Sequence, residues 1–258
     1  MIIIKSPEEI KIIREGGKIL AAILADLLNM VKPGLTTLEL EKRACFLMEK
    51  AGARPSFKGY KTGKDRSAFP TALCVSINDE VVHAPALPSR EIKDGDIVSI
   101  DAGLEYKKLF TDMAASIGAG KISEDAEKLI RVTRECLYLA IKQVKPGNTL
   151  TDIARAIQTH AEENNFSVVR ELVGHGVGKA VHEDPQIPNY VIDHKNFKEV
   201  ILKTGMVLAI EPMVNMGGWK VEEASDGFSI VTADLSLSAH FEHTIAVTEK
   251  GGEILTRI

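Results

Sequence analysis

The chain has 258 residues, 45% hydrophobic and 26% charged, which is the balance of an ordinary soluble globular protein and excludes a disordered or fibrous one. Thirty-two basic against thirty-six acidic residues leave a formal charge of −4, and aromatics are only 5%, so neither charge nor base-stacking side chains point to nucleic acid. Cys45, Cys74 and Cys136 stand far apart and are odd in number, which reads as three reduced thiols in a cytoplasmic protein.

The opening MIIIKSPEEI turns to charge after three strong apolar residues and does not read as a signal peptide. The apolar stretch at residues 19–24 is far short of the roughly 18 that a membrane span needs. Ser6-Pro7-Glu8-Glu9 predicts a helix start: Ser6 caps, Pro7 fits the first helical position and Glu9 closes a capping box. Apolar residues recur with helical spacing at Ile10, Ile13, Leu20, Ile23, Leu24, Leu27 and Leu28, until Val31-Lys32-Pro33-Gly34 stops the run. Thr36 with Glu39 opens a second capped helix reaching about Ala51-Gly52. Strand-like runs follow at residues 73–77, 97–100 and 109–117.

The stop signal returns 113 residues later as Val144-Lys145-Pro146-Gly147. It again follows an apolar helix, residues 123–143, and precedes a second one, residues 150–163. Strand-like runs come next at 167–169, 206–210, 228–232 and 243–247, with turns at Asp94-Gly95-Asp96 and Lys250-Gly251-Gly252. The repeated order of elements, with no low-complexity linker, predicts one α/β domain made of two similar halves, about 1–118 and 119–258, sharing one sheet system.

Four carboxylates interrupt apolar strand sequence: Asp101 at the end of Ile97-Val98-Ser99-Ile100, Asp112, Glu211 after 206–210, and Glu242. A carboxylate in half-buried sheet is costly unless it is paired or binds metal. Four of them, with His175 between glycines, are best explained together as a metal cluster. A hairpin would bring Asp101 and Asp112 to neighbouring positions on one face. Oxygen donors plus one imidazole suit Mn, Fe, Co or Zn, and the lack of cysteine ligands argues against a structural zinc site. In Gly174-His175-Gly176-Val177-Gly178-Lys179-Ala180-Val181-His182 the competing phosphate-loop reading fails. Its glycine spacing is one residue short, and Ala180 stands where Ser or Thr would bind magnesium.

Along nearly its whole length the sequence resembles the type I methionine aminopeptidases. The resemblance rests on residues 76–83 (SINDEVVH), Asp101, Asp112, residues 174–178 (GHGVG), residues 182–186 (HEDPQ), residues 210–213 (IEPM) and residues 236–244 (SLSAHFEHT). It implies a pita-bread α/β fold with pseudo-twofold halves, an antiparallel-rich sheet and helices outside. It also implies two divalent metal ions held by Asp101, Asp112, His175, Glu211 and Glu242. Asp112 and Glu242 would bridge the ions, Asp101 would serve one, and His175 with Glu211 the other. The implied reaction removes the N-terminal methionine of nascent polypeptides when the second residue is small. A metal-bound hydroxide would attack the first peptide carbonyl, with Glu211 as proton shuttle, His182 stabilising the tetrahedral intermediate and His83 holding the peptide. Alignment with the family places Tyr60, Phe69, Cys74, Val181 and Phe228 around the methionine side chain.

Phe228 and Ala84 depart from the family's usual Trp and Gly. His240 and His243 take structural roles in this reading. The 31 residues from Glu211 to Glu242 leave no room for the insertion of type II enzymes, and the chain starts directly at its first helix, as in compact bacterial-type enzymes. An X-Pro peptidase would show a second histidine pattern and a longer chain, and a non-catalytic relative would have lost metal ligands. Lys58, Lys61 and Lys64 fit a solvated loop or a transient ribosome contact. Nucleic-acid specificity and membrane association are not expected. Monomer is the default, since no heptad or exposed apolar stripe stands out.

Overall fold

The computed structural model describes residues 1–63, 67–192 and 198–257. Four helices form where capping chemistry opens them. α1 (Pro7–Met30) starts with the Ser6–Glu9 capping box and Pro7, and α2 (Thr37–Lys50) with the Thr36–Glu39 box. α3 (Glu124–Gln143) is capped by Ser123, and α4 (Leu150–Glu163) by a Thr149–Asp152 box. α1 packs against the central strands, burying Leu20, Leu24 and Leu27 completely. Each such leucine contributes about 1.5–3 kcal/mol.

The first half supplies β1 (Arg54–Pro55), β2 (Leu73–Ile77), β3 (Glu80–Val82), β4 (Ile97–Tyr106) and β5 (Leu109–Gly118). The second supplies β6 (Ser167–Val168), β7 (Gly174–Gly176), β8 (Glu183–Ile187), β9 (Val207–Ile210), β10 (Met213–Asn215) and β11 (Val221–Glu223). It continues with β12 (Ile230–Thr232), β13 (Ser238–His240), β14 (Glu242–Thr248) and β15 (Gly251–Ile254).

The main sheet runs β1-β4-β5-β14-β9-β7-β8, with β2 also on β4 and β15 also on β14. Every pairing is antiparallel. Its centre is symmetric: β5 lies beside β14, flanked by β4 and β9, and then by β2 and β7. Equivalent turns recur in the two halves. The Gly34 N–H donates to the Ile92 carbonyl (2.8 Å), and the Gly147 N–H, 113 residues on, donates to the Leu202 carbonyl (3.1 Å). The capping threonines Thr36 and Thr149 each form an isolated bridge, to Glu91 and Ile201. Two small sheets, β13-β10-β6 and β11-β12-β3, complete the structure.

Several strand boundaries differ from the sequence expectation. Asp101 does not end its strand, because β4 continues to Tyr106 and turns into β5 through Lys107 and Lys108. Both lysines adopt the left-handed conformation (φ 49° and 66°) that a two-residue hairpin turn requires. Phe228 and Ser229 stay outside β12, because Asp226 Oδ1 accepts both of their N–H groups (2.9 and 2.8 Å). β14 begins at Glu242 and not at His243.

Among the described residues no helix is long and apolar enough to cross a membrane. Cys45, Cys74 and Cys136 are all free thiols.

Gly17, inside α1, lies against the backbone before the C-terminus: a Cβ there would fall 2.4 Å from the Leu255 carbonyl oxygen. Gly17→Ala gains about 1 kcal/mol of helix propensity but overpacks at a cost of about 1–3 kcal/mol. Calorimetry will find Tm lowered by a few degrees, at about 2–4 °C per kcal/mol, whereas Lys18→Ala on the exposed face leaves it unchanged.

Candidate metal centre and substrate cavity

Strand register brings the predicted acidic residues together. Asp101 on β4 and Glu242 on β14 both lie directly across from Ala114 on β5, one on each side. Glu211 follows Ile210, which pairs with His243, so it extends that row beyond Glu242. In the next row Asp112 faces Gly103, and the Thr244 hydroxyl clamps its backbone, accepting from the Asp112 N–H (2.9 Å) and donating to its carbonyl (2.8 Å). His175 on β7 faces Ala209, two residues before Glu211. Side chains two apart on a strand share a face, so all five project from the same side of the sheet. The alternate residues Ile100, Ala102 and Leu104 enter the main core with residues of α1.

Ligand atoms of Asp112, His175 and Glu242 lie within 4.8 Å of one another, and all three residues are buried. His175 Nε2 is 3.5 Å from Glu211 Oε1. His175 Nδ1 is 2.9 Å from the Gly176 carbonyl. A carbonyl only accepts, so Nδ1 carries the proton and Nε2 presents its lone pair to the carboxylates. Burial, with His182 alongside, holds this imidazole down to about 3, so it is neutral. Burial pushes Asp101 up to about 7 and, with mutual repulsion, raises Asp112, Glu211 and Glu242 well above the ordinary carboxylate range.

These residues fit a divalent cation. Asp101 Oδ1 and Glu242 Oε1 are buried without a hydrogen-bond partner. Among the described residues lining the cavity above them, none is Lys or Arg. Four carboxylates and a neutral imidazole form an oxygen-rich donor set with no positive side chain to balance it.

The cavity measures about 870 Å³. Its floor is Asp101, Asp112, His175, Glu211 and Glu242, and Tyr60, Phe69, Cys74, His83, His182 and Phe228 line it too. Val181 is buried and does not line it, whereas Ala180 does. Tyr60 OH lies 2.8 Å from His182 Nδ1, and the His175 and His182 rings stack edge-on at 4.5 Å. His83 adopts φ 61°, and the next residue, Ala84, is fully buried with its carbonyl accepting the Val75 N–H (2.8 Å), so alanine suits this loop.

Two further residues reach the site: Phe57, which its local sequence does not mark, and His240, to which the sequence reading gives a structural role. Phe57 lines the cavity and stacks edge-on against Phe69, which stacks against Phe228. Its one signal is Gly103 inside a strand: a Cβ there would lie 2.6 Å from the Phe57 ring. His240 is fully buried, with Nε2 3.8 Å from Glu211 Oε2 and without a hydrogen-bond partner. His243 is buried with Nδ1 2.9 Å from the Thr256 hydroxyl.

A sheet-borne acidic cluster under an enclosed cavity is the architecture of a metal-dependent hydrolase, and the comparisons with known proteins agree. Residues 11–249 match the model of metallopeptidase family M24, and the chain belongs to that family. Within it the chain falls among the type I methionine aminopeptidases. It is 49% identical to the methionine aminopeptidase of Clostridium perfringens and to methionine aminopeptidase 1 of Bacillus subtilis, over the full length of each. The methionine aminopeptidase structure from Thermotoga maritima superposes with a TM-score of 0.94 at 44% identity, covering all of both chains. The prolidase from Pyrococcus horikoshii shares the fold alone (TM-score 0.76, 24% identity), and this chain covers 63% of its length. The fold is therefore the pita-bread fold.

The raised carboxyls set a pH dependence. In the metal-free protein they keep protons that the unfolded chain releases, so their contribution to stability is lost as pH rises through about 7 and beyond. His175, His240 and His243, held neutral by burial, act oppositely, but only below about pH 6.5. Between pH 6.5 and 8.5 the Tm of metal-free protein will therefore fall. Each carboxyl still protonated there loses about 1.4 kcal/mol per pH unit. Glu242→Gln flattens this slope, and Mn(II) raises Tm more at pH 8.5 than at 6.5. A metal-free Tm that is flat or rising across this window contradicts these electrostatics.

Proposed function

We propose that this chain removes the N-terminal methionine from nascent proteins and peptides whose second residue is small. One observation carries the reading: four carboxylates and a neutral imidazole converge beneath an aromatic-walled cavity, in a chain 49% identical over its full length to methionine aminopeptidases. In this reading Asp101, Asp112, His175, Glu211 and Glu242 would hold two divalent ions of the Mn, Fe, Co or Zn kind. Bound there, the ions supply Lewis-acid polarisation and a water that ionises near neutral pH.

The protein's own groups do the rest. Glu211, its carboxyl already biased toward keeping a proton, takes the proton of the attacking water and returns it to the leaving amine. His182, its ring fixed through Nδ1 by Tyr60, donates to the oxyanion that develops on the first carbonyl. His83, on its left-handed backbone, holds the peptide beside the cavity. The substrate's α-amino group sits by Asp101, which confines cleavage to free N-termini. Tyr60, Phe69, Cys74 and Phe228 surround the methionine side chain, and Val181, buried beside Ala180, stays out of that wall. The two similar halves, about 1–118 and 119–258, make one catalytic domain. We place the enzyme in the cytoplasm, as a monomer. Lys58 and Lys61 are exposed, and in this reading Lys58 could make a brief ribosome contact, while Lys64 lies outside the described residues.

Metal-reconstituted protein should release methionine from Met-Ala-Ser and Met-Gly peptides, and release little from Met-Leu peptides. His182→Ala should lower kcat by about 10²–10³-fold, and His175→Ala should abolish release. Full activity in His175→Ala protein would sink the metal assignment. A wild type inactive with every first-row divalent metal would sink the reaction itself.

A further inference from the structure

His182 sits on the turn between β7 and β8, and its neighbour Glu183 is one of the most deeply buried charges in the molecule. The Glu183 side chain is 3% exposed and that of its partner, Lys5, 1%. Lys5 Nζ donates to Glu183 Oε2 (2.5 Å), while Glu183 Oε1 accepts the backbone N–H groups of Lys179 (2.5 Å) and Ala180 (3.0 Å). One Glu183 oxygen thus closes the short turn on itself, and the other is taken by Lys5 from the N-terminal segment. The stem of Lys5 lies against Gly178, where a Cβ would meet Lys5 Cε at 2.7 Å and where φ is +141°. The Lys5 N–H is itself tied to the Gly205 carbonyl (2.8 Å), in the turn that leads into β9 and Glu211.

We propose that the buried Lys5–Glu183 pair is a positioning device for His182. Glu183 clamps the turn through two backbone N–H groups, and Lys5 holds the clamp oriented through the other carboxylate oxygen. The turn then presents the His182 ring to Tyr60 and to the cavity. Neither Lys5 nor Glu183 touches substrate in this scheme. The inference rests on the role given above to His182, and the geometry points to it because a buried ion pair is by itself weak evidence for stability. Burying a lysine and a glutamate beside a turn makes more sense for what the pair fixes in place.

The test uses the metal-loaded enzyme with Met-Ala-Ser, and variants Glu183→Gln, Lys5→Met and the neutral double variant Lys5→Met/Glu183→Leu. The proposal predicts kcat lowered at least about tenfold in all three with KM changed less than about threefold. In the double variant Tm returns toward wild type, because no unpaired charge stays buried, yet kcat stays low, because the Lys179 and Ala180 N–H groups have lost their acceptor. Nitrogen-15 NMR of the metal-free protein gives a second readout: the His182 ring signals shift in Glu183→Gln, while those of His160, paired with Glu135 between α3 and α4, do not. A purely structural pair would let kcat recover along with Tm in the double variant, and would leave the His182 signals in place. Either result overturns the proposal. Because the NMR readout needs no turnover, it fails or succeeds independently of the peptidase assignment.

Discussion

The constraint on which this structure depends is the electrostatic cost of one small buried area. Four carboxylates share it with an imidazole that burial keeps neutral. No lysine or arginine reaches them among the described lining residues. Two bare carboxylates a few ångströms apart in a protein interior repel by several kcal/mol even at an effective dielectric constant of about 20. The metal-free chain escapes by keeping protons: Asp101 is held up to about 7, and burial with mutual repulsion raises the other three well above the ordinary carboxylate range. Even the nearby thiol conforms: Cys74 lies across from Asp101 on β2, and burial beside the acids raises its pKa well above the usual range.

The sheet is arranged to bear this load. Asp101, Asp112 and Glu242 stand on β4, β5 and β14, and Glu211 directly follows β9; each of these strands has neighbours on both sides and the core behind it. Asp101 and Glu211 occupy corresponding places, each following four residues of its strand, 110 positions apart. Symmetry breaks one strand further out. His175 faces Ala209, while its counterpart Ser76 faces Ser99. One half therefore brings an imidazole to the cluster, and the other has a serine at the corresponding register position. A fully symmetric cluster would have equivalent ends; this one has a nitrogen donor at one end and Cys74 with the apolar wall at the other.

Much of this is legible in the chain. Helix starts can be read residue by residue, because a capping box is a local bargain between a hydroxyl, a carboxylate and two N–H groups, and needs no tertiary partner. The five clustered residues stand out because an apolar strand cannot bury a carboxylate without a partner or a cation to balance it. The short strands are less visible. β7 is Gly-His-Gly, which has no side-chain alternation to detect, and β4 reads short where Asp101 breaks its apolar run. Long-range packing is hidden as well: Phe57 joins the cavity across Gly103, and His240 reaches Glu211 through the pairing of β13 with β10. A sequence records a glycine's missing side chain but not which neighbour fills the space.

The cavity has two chemically opposed ends, and its selectivity follows from that polarity. The acidic floor favours groups that bear or attract positive charge. The Phe57–Phe69–Phe228 series of edge-on rings excludes water from the opposite wall. A peptide that satisfies both ends at once must carry an ammonium group within one residue of an unbranched apolar side chain. An N-terminal methionine does so, its flexible thioether adapting to an aromatic pocket. An internal methionine offers the side chain without the charge, and an N-terminal lysine places a second charge against rings that cannot solvate it. The large volume of about 870 Å³ leaves room for residues beyond the first. His182 and His83 line that space as well.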